Sequence, residues 1–274
     1  MIVDGLSWRA PVPPGCLGRP ECGNAWKDGR YHVGSANPGE SRAPQGNIRR
    51  MGSEQDLVAR IREARRKLAA DGPPRVRSGG DFERVSVPVS DSDVLRDLLL
   101  AEKPGTVIEI GLAYGSSALA VAEALVTAGS DEARHVIIDA YQKHFHGSGW
   151  AAIAGAGLAG LCSLVEERSQ IALSRLLAGG FVADAAFVDG SHIFHNVFVD
   201  LFYLRELVRP GGLVILDDCS YPSVATAARY FEVDTGWEPE PIAWPTRLRA
   251  FRLPKPRTEP DFKSFRPFGL DTTG

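Results

Sequence analysis

From about residue 90 the chain alternates short apolar runs with longer amphipathic ones. SDSDVLRDLLLAEK (90–103) has the spacing of a capped helix. TVIEIG (106–111) is a β-branched run closed by glycine, with the length and composition of a buried strand. SSALAVAEALVTAG (116–129) predicts a helix stopped by Gly129, and HVIIDAY (135–141) a second strand. Residues 147–161 predict a loop and a short helix, SLVEERS (163–169) a third strand, and QIALSRLLAGG (170–180) a helix with a glycine stop. DAAFVDG (184–190) predicts a fourth strand. IFHNVFVDLFYLRELVRPGG (193–212) predicts an amphipathic helix ending at Pro210, and LVILDD (213–218) a fifth strand. A helix over SVATAARYFEV (223–233) and two last strands near 238–243 and 248–253 complete the series. Strands alternating with helices predict an α/β fold with a doubly wound, mostly parallel sheet.

The flanks read differently. Residues 51–72 predict a helix: Ser53 is the candidate cap, Glu54 and Asp56 favour its first turn, and Leu57, Ile61, Ala64 and Leu68 share a face. Segment 51–89 is therefore expected to be helical, as a lid or a contact between copies in a homo-oligomer. Residues 1–50 hold eight Gly and six Pro without periodicity, the mark of a flexible, disordered extension. Met51, the one internal methionine, is the expected natural start, which would make 1–50 an over-extended reading of the gene. Residues 255–274 carry three Pro, two Gly and little periodicity, and are expected to form a flexible tail. That leaves 90–254 as the main domain.

Composition narrows the function. Apolar residues make up 44% and charged residues 24%, the mix of a soluble globular protein. The net charge of −3 argues against holding nucleic acid by bulk electrostatics. Cys16, Cys22, Cys162 and Cys219 are too scattered for a disulfide framework or a zinc site. The first residues lack a basic stretch followed by an apolar one, so no secretory signal is expected and the location is expected to be cytoplasmic. Residues 147–165 are uncharged, but five Gly and five Ala among them argue for a loop and a packed helix rather than a membrane span.

In a doubly wound sheet, ligands bind beyond the carboxyl ends of the strands. Glu109, Asp139, Asp189, Asp217 and Asp218 all fall at or near such ends. The turn Glu109-Ile-Gly-Leu-Ala-Tyr-Gly-Ser-Ser lets backbone approach a ligand at a helix start. Its glycine spacing is not that of a dinucleotide's pyrophosphate loop. Asp139 at the end of the second strand suits the two hydroxyls of a ribose; a surface acid or a cap is the alternative. The strongest pattern is FVDGSH (187–192) with LVILDDCS (213–220). Adjacent fourth and fifth strands would bring Asp189, Asp217 and Asp218 together, where they repel each other unless a cation or protons offset the charge. Oxygen ligands without a Cys or His cluster suggest Mg²⁺, with Mn²⁺ and Ca²⁺ as alternatives. His192, three residues past Asp189, is the candidate general base. The plainer alternative makes Gly190-Ser191 a turn and Asp217 or Asp218 a helix cap.

The runs VIEIGLAYGSS, IIDA, DGSH and PGGLVILDD over residues 90–254 resemble the class I S-adenosylmethionine-dependent methyltransferases. The likeness is to the metal-dependent small-molecule O-methyltransferases that act on macrocin, mycinamicin and aminocoumarin sugars, with cephalosporin-hydroxylase-like proteins as close relatives. The resemblance implies a Rossmann-like, seven-stranded sheet. It implies that the loop from Glu109 through Gly111, Tyr114, Gly115 and Ser116 to Ser117 holds the methionine part of the cofactor. Asp139 would hold the ribose, and Ser169 and Gln170 would lie near the adenine. Asp189, Asp217 and Asp218 would bind the metal, with His192 taking a proton from the acceptor.

The activity so implied is methyl transfer to a hydroxyl of a small molecule (a sugar, polyketide or catechol-like diol), as in natural product biosynthesis. The segment after Asp139, AYQKHFHGSGW (140–150), supplies candidate acceptor contacts; Trp150 and Trp244 either flank that pocket or belong to the core. The rival readings are a cephalosporin-hydroxylase-like relative, a non-catalytic cofactor-binding protein and an NAD-dependent oxidoreductase. No nucleic-acid or membrane partner is expected.

Overall fold

Seven strands form one sheet in the order β3-β2-β1-β4-β5-β7-β6. The structure, a computed structural model, describes residues 48–73, 79–130, 132–257 and 259–266. The expected extension, with Cys16 and Cys22, lies outside them except for residues 48–50, where α1 (Ile48–Asp71) begins. Ser53 therefore sits inside α1 rather than at its cap. Next come α2 (Gly79–Val85), α3 (Val89–Glu102), β1 (Thr106–Ile110), α4 (Ser116–Ala128), β2 (Arg134–Ile138), α5 (Ser148–Gly155) and β3 (Cys162–Val165). The second half runs α6 (Ser169–Ala178), β4 (Ala183–Val188), α7 (Phe194–Leu207), β5 (Val208–Leu216), α8 (Pro222–Asp234), β6 (Glu238–Glu240) and β7 (Arg249–Arg252). β1 to β5 pair parallel with one another, and β7 runs antiparallel between β5 and β6. The expected doubly wound, mostly parallel seven-stranded sheet is what the chain forms.

Strand side chains alternate between faces, and the core divides accordingly. Val107, Phe187 and Ile215 pack with Leu95, Leu99 and Leu125 of α3 and α4. Ile108, Ile110, Val188 and Leu216 pack with Leu173, Leu201 and Phe231 of α6, α7 and α8. Both faces are covered, which is why the strands read as apolar runs rather than as alternating ones. α1 lies against α4; its Ile61 and Leu68 are buried with Phe82, Leu119 and Ile153.

One boundary differs from expectation. The helix expected to reach Pro210 stops at Leu207, and β5 starts at Val208. Pro210 has no N–H to give a ladder. Gly211, at φ 72, makes an irregularity there, and the register against β4 shifts between Ala183 and Ala185. Gly211 N–H still reaches Leu253 O at 3.0 Å, so the strand continues. Within the expected tail, Arg257 Nη1 donates to Glu206 at 2.9 Å and Arg266 N–H to Asp234 at 2.9 Å.

The chain order turns outward in both directions from β1 and β4, which places the crevice of the fold at their carboxyl ends. There Gly111 lies so close to the Asp189 backbone that a Cβ would stand 2.0 Å from Asp189 O. Its φ of +96 is likewise a glycine conformation. This contact joins the turn after β1 to the turn after β4.

Candidate active site

The turn after β1 is held from below by Asp139. Its Oδ2 accepts the N–H of Leu112 and of Ala113, both at 3.0 Å, and Gln142 Nε2 at 2.9 Å; its Oδ1 accepts Tyr141 N–H at 2.6 Å. The carboxylate is 7% exposed and committed to four donors of its own chain. Asp139 therefore braces the turn, with three of the four donors on Oδ2 and one on Oδ1. The end of β2 lies beside that of β1, and the unpaired turn N–H groups are the nearest donors.

Three other expected cofactor contacts also turn inward. Glu109 shares the α4 face of β1 with Val107 and is fully buried. It accepts Ser117 Oγ at 2.5 Å and stands 2.7 Å from His135 Nε2, close enough for an ion pair though not aligned as a hydrogen bond. His135 Nδ1 is 3.5 Å from Cys162 Sγ. Burial lowers the His135 pKa, but Cys162 and Glu109 outweigh it and hold the imidazole at about 10. Glu109 and Ser117 thus serve a buried polar chain across β1, β2 and β3. Tyr114 is 3% exposed, packed edge-on against Phe82 and Phe145, and its hydroxyl donates to Asp81 at 2.8 Å. Burial first, then Asp81, pushes its phenol up to about 12.

The turn also offers backbone and the half-buried Ser116. Gly111, Ala113 and Gly115 have φ of 96, 44 and 91. α4 starts at Ser116 with no side-chain cap, so its first N–H groups are free of side-chain acceptors. Such a helix start suits a carboxylate. Ser169 and Gln170 open α6 at the end of β3, half-buried. The Ser169 side chain reaches Asp200, whose burial raises its pKa to about 7.

Across the crevice, β4 and β5 are neighbours, as the sequence reading required. Asp189, His192 and Asp218 each point a ligand atom at one spot, all within 4.8 Å of one another. His192 Nε2 lies 3.1 Å from Asp218 Oδ2 and 3.6 Å from Asp189 Oδ1. A ligand atom of Asp189 and one of Asp218 lie within 4.8 Å of each other, so both can reach one small divalent cation. Burial raises Asp189 to about 7, helped by Asp217 and Asp218 and opposed by His192. Asp189, followed by Asp218, holds the His192 imidazole above its ordinary value. Asp218 is one of the few non-glycine residues at positive φ, 53, a strained state of the kind found at working sites.

Asp217 does not join this group, contrary to expectation. It is 2% exposed and gripped by Arg247, whose Nε and Nη2 donate to its two oxygens at 2.7 and 2.6 Å. Both acids lie beyond the end of β5, where the guanidinium holds Asp217 and the left-handed Asp218 turns to Asp189 and His192. Sequence reasoning missed Arg247. It lies 30 residues from Asp217 in the β6–β7 connector, and no local pattern marks it. It missed Tyr221 as well, which stacks on His192 at 5.3 Å; its position three residues past Asp218 was the available signal.

Of the candidate acceptor segment, Gln142 is buried and Phe145 packs on Tyr114, while Tyr141 is 61% exposed. Trp244 is 70% exposed and so not core, whereas Trp150 packs beside Ile153. A cavity of about 890 Å³ lies among α1, α2, α3 and α4, lined by the expected cofactor residue Ser116 and not by Asp189, His192 or Asp218; its arginines are ion-paired, Arg65 with Glu123 and Asp93 for example.

Residues 108–219 match a family model described as a methyltransferase domain. No curated protein sequence matches the chain. Among solved structures it is similar to the O-methyltransferase TomG from Streptomyces achromogenes, involved in tomaymycin synthesis and solved with SAM. The identity is 20% and the TM-score 0.51, over 72% of this chain and 89% of that one. The O-methyltransferase from Bacillus cereus in complex with SAH is 17% identical, at TM-score 0.52 over 73% and 97%. A putative caffeoyl-CoA O-methyltransferase from Staphylococcus aureus is 14% identical, at TM-score 0.55 over 73% and 99%. The fold is the Rossmann-like methyltransferase fold.

Proposed function

We propose that the protein transfers a methyl group from S-adenosylmethionine to a hydroxyl of a small molecule, assisted by a divalent metal. One observation carries the reading: in a chain whose residues 108–219 match a methyltransferase domain, the turn leading to the uncapped start of α4 touches the Asp189 backbone beside the Asp189–His192–Asp218 group. The residues fit the cofactor at that turn and at α4, where backbone N–H groups suit its methionine carboxylate. Two half-buried carboxylates fit Mg²⁺ or Mn²⁺. Ca²⁺, which takes six to eight oxygens, is the poorer match.

The sulfonium cofactor supplies an activated methyl group, and the metal, when bound, polarises an acceptor oxygen. The rest falls to this chain. The turn and α4 orient the donor, and holding donor and acceptor in line removes much of the entropic barrier. Asp189 and Asp218 balance the charge of the ion. His192, 43% exposed on its side chain and braced by Tyr221, takes the hydroxyl proton at Nε2. Two adjacent acceptor hydroxyls suit one ion, which supports a diol of the sugar, polyketide or catechol kind. The test is a labelled-methyl transfer screen over such diols, with Mg²⁺ or with EDTA, beside titrations with S-adenosylhomocysteine and NADH. Binding of NADH in place of S-adenosylhomocysteine, or full activity in EDTA, refutes the reading in its cofactor or metal part respectively.

A further inference from the structure

We infer that Arg247 is a positioning residue that withdraws Asp217 from the cation ligands, leaving Asp189 and Asp218 as the carboxylates that hold the ion. The inference rests on the metal-assisted reading above and goes beyond it by fixing the ligand set. Both Asp217 oxygens are in the guanidinium fork, and Oδ1 also accepts Asp218 N–H at 2.7 Å. A planar fork on a carboxylate is among the strongest and most directional of side-chain contacts. The same guanidinium lies with Nη1 3.5 Å from Asp218 Oδ1, on the side away from His192, which faces Oδ2. The guanidinium is thus a fixed positive charge beside Asp218, one that disfavours a cation there.

Arg247 is itself placed by three elements. It sits just before β7, its Nε is 3.8 Å from Asp91 Oδ2 in the first turn of α3, and its carbonyl accepts Cys219 N–H at 3.4 Å. Thr246 Oγ1 donates to Asp91 at 2.5 Å and anchors the connector there. For Asp217 to reach the ion, this fork would have to open and leave an unpaired guanidinium beside a divalent cation. With two carboxylates rather than three, a six-coordinate ion keeps positions for water and for both oxygens of a diol.

The test is Mn²⁺ binding to the full chain, read from loss of the free-ion electron paramagnetic resonance signal, with S-adenosylhomocysteine binding as the check on folding. Asp189→Asn and Asp218→Asn are expected to weaken Mn²⁺ at least roughly tenfold. Arg247→Met frees a third carboxylate and removes a nearby cation, so Mn²⁺ should bind about tenfold tighter. The double variant Arg247→Met/Asp217→Asn restores the charge balance with neutral groups of similar size; it is expected within roughly threefold of wild type. A double variant as weak as Asp189→Asn makes Asp217 a ligand and overturns the inference, with the metal reading intact. Unchanged or weaker binding in Arg247→Met also overturns it, as does wild-type affinity in Asp189→Asn. Wild-type protein that takes up no Mn²⁺ removes the metal reading and this inference together, while S-adenosylhomocysteine binding still tests the cofactor reading separately.

Discussion

Gly111→Ala tests whether the crevice is built on the contact between the turn after β1 and the turn after β4. The added Cβ would stand 2.0 Å from Asp189 O and 2.7 Å from Asp189 C. Ordinary contact begins near 3.4 Å, so backbone must move by more than an ångström. Neither side yields easily: Gly111 N–H is held by Ile138 O at 2.9 Å and Asp189 N–H by Ile110 O at 2.8 Å. The positive φ adds about 1–2 kcal/mol for any L side chain, and overpacking adds about 1–3 kcal/mol. Gly129→Ala separates the two costs. Gly129 also has a positive φ, 71, but nothing lies within 4 Å of its Cβ position. It should lose only the backbone share, about 1 kcal/mol. Urea unfolding followed by fluorescence, with Trp237 buried among Phe231 and Phe251 as a reporter, should show Gly111→Ala less stable than Gly129→Ala by about 1–3 kcal/mol. A difference below about 0.5 kcal/mol refutes the close approach, and with it the argument that the two turns form one site.

Asp189→Asn should lower methyl transfer at least 100-fold, about 2.7 kcal/mol, while S-adenosylhomocysteine affinity stays within about threefold; equal loss of both in parallel titrations would instead point to collapse of the crevice. Tyr114→Phe removes the bond to Asp81, so melting should show a loss of about 1 kcal/mol. Its S-adenosylhomocysteine affinity should be unchanged, whereas a tenfold loss would return Tyr114 to the cofactor site. Asp200 has its folded pKa raised to about 7 by burial, above an unfolded value near 3.9. Its proton is bound more tightly in the native state, so wild-type stability falls as pH rises from about 4 to about 7. Asp200→Asn should then be more stable than wild type by up to about 3–4 kcal/mol at pH 8. The gain should fade towards pH 4 in urea unfolding, and a gain independent of pH contradicts the assignment.

Much of the fold was legible because its signals are local. Val107, Ile108 and Ile110 make an apolar run buried on both faces, and Gly129 stops α4 in a left-handed conformation. Where a boundary moved, as at Leu207, the bonding partner was Leu253, 42 residues beyond Gly211 and invisible to periodicity. The site was legible in part. Asp189 and Asp218 meet because β4 and β5 are neighbours, a pairing consistent with the doubly wound sheet that the alternation of elements implied. The direction of each carboxylate was not legible. Asp217, Asp139 and Glu109 carry the same chemistry at the same kind of position, yet each is turned into its own chain by a partner from another element: Arg247, the Leu112–Ala113 turn, and Ser117 with His135.

The sequence by itself therefore determined which elements form, their order, and the edge of the sheet where acids and a glycine turn gather. Hydrogen-bond periodicity and side-chain alternation act over a few residues, and the chain records them directly. Only the tertiary structure decided which acids face the crevice. A buried carboxylate goes to whichever donors satisfy its charge, and here those donors come from distant parts of the chain.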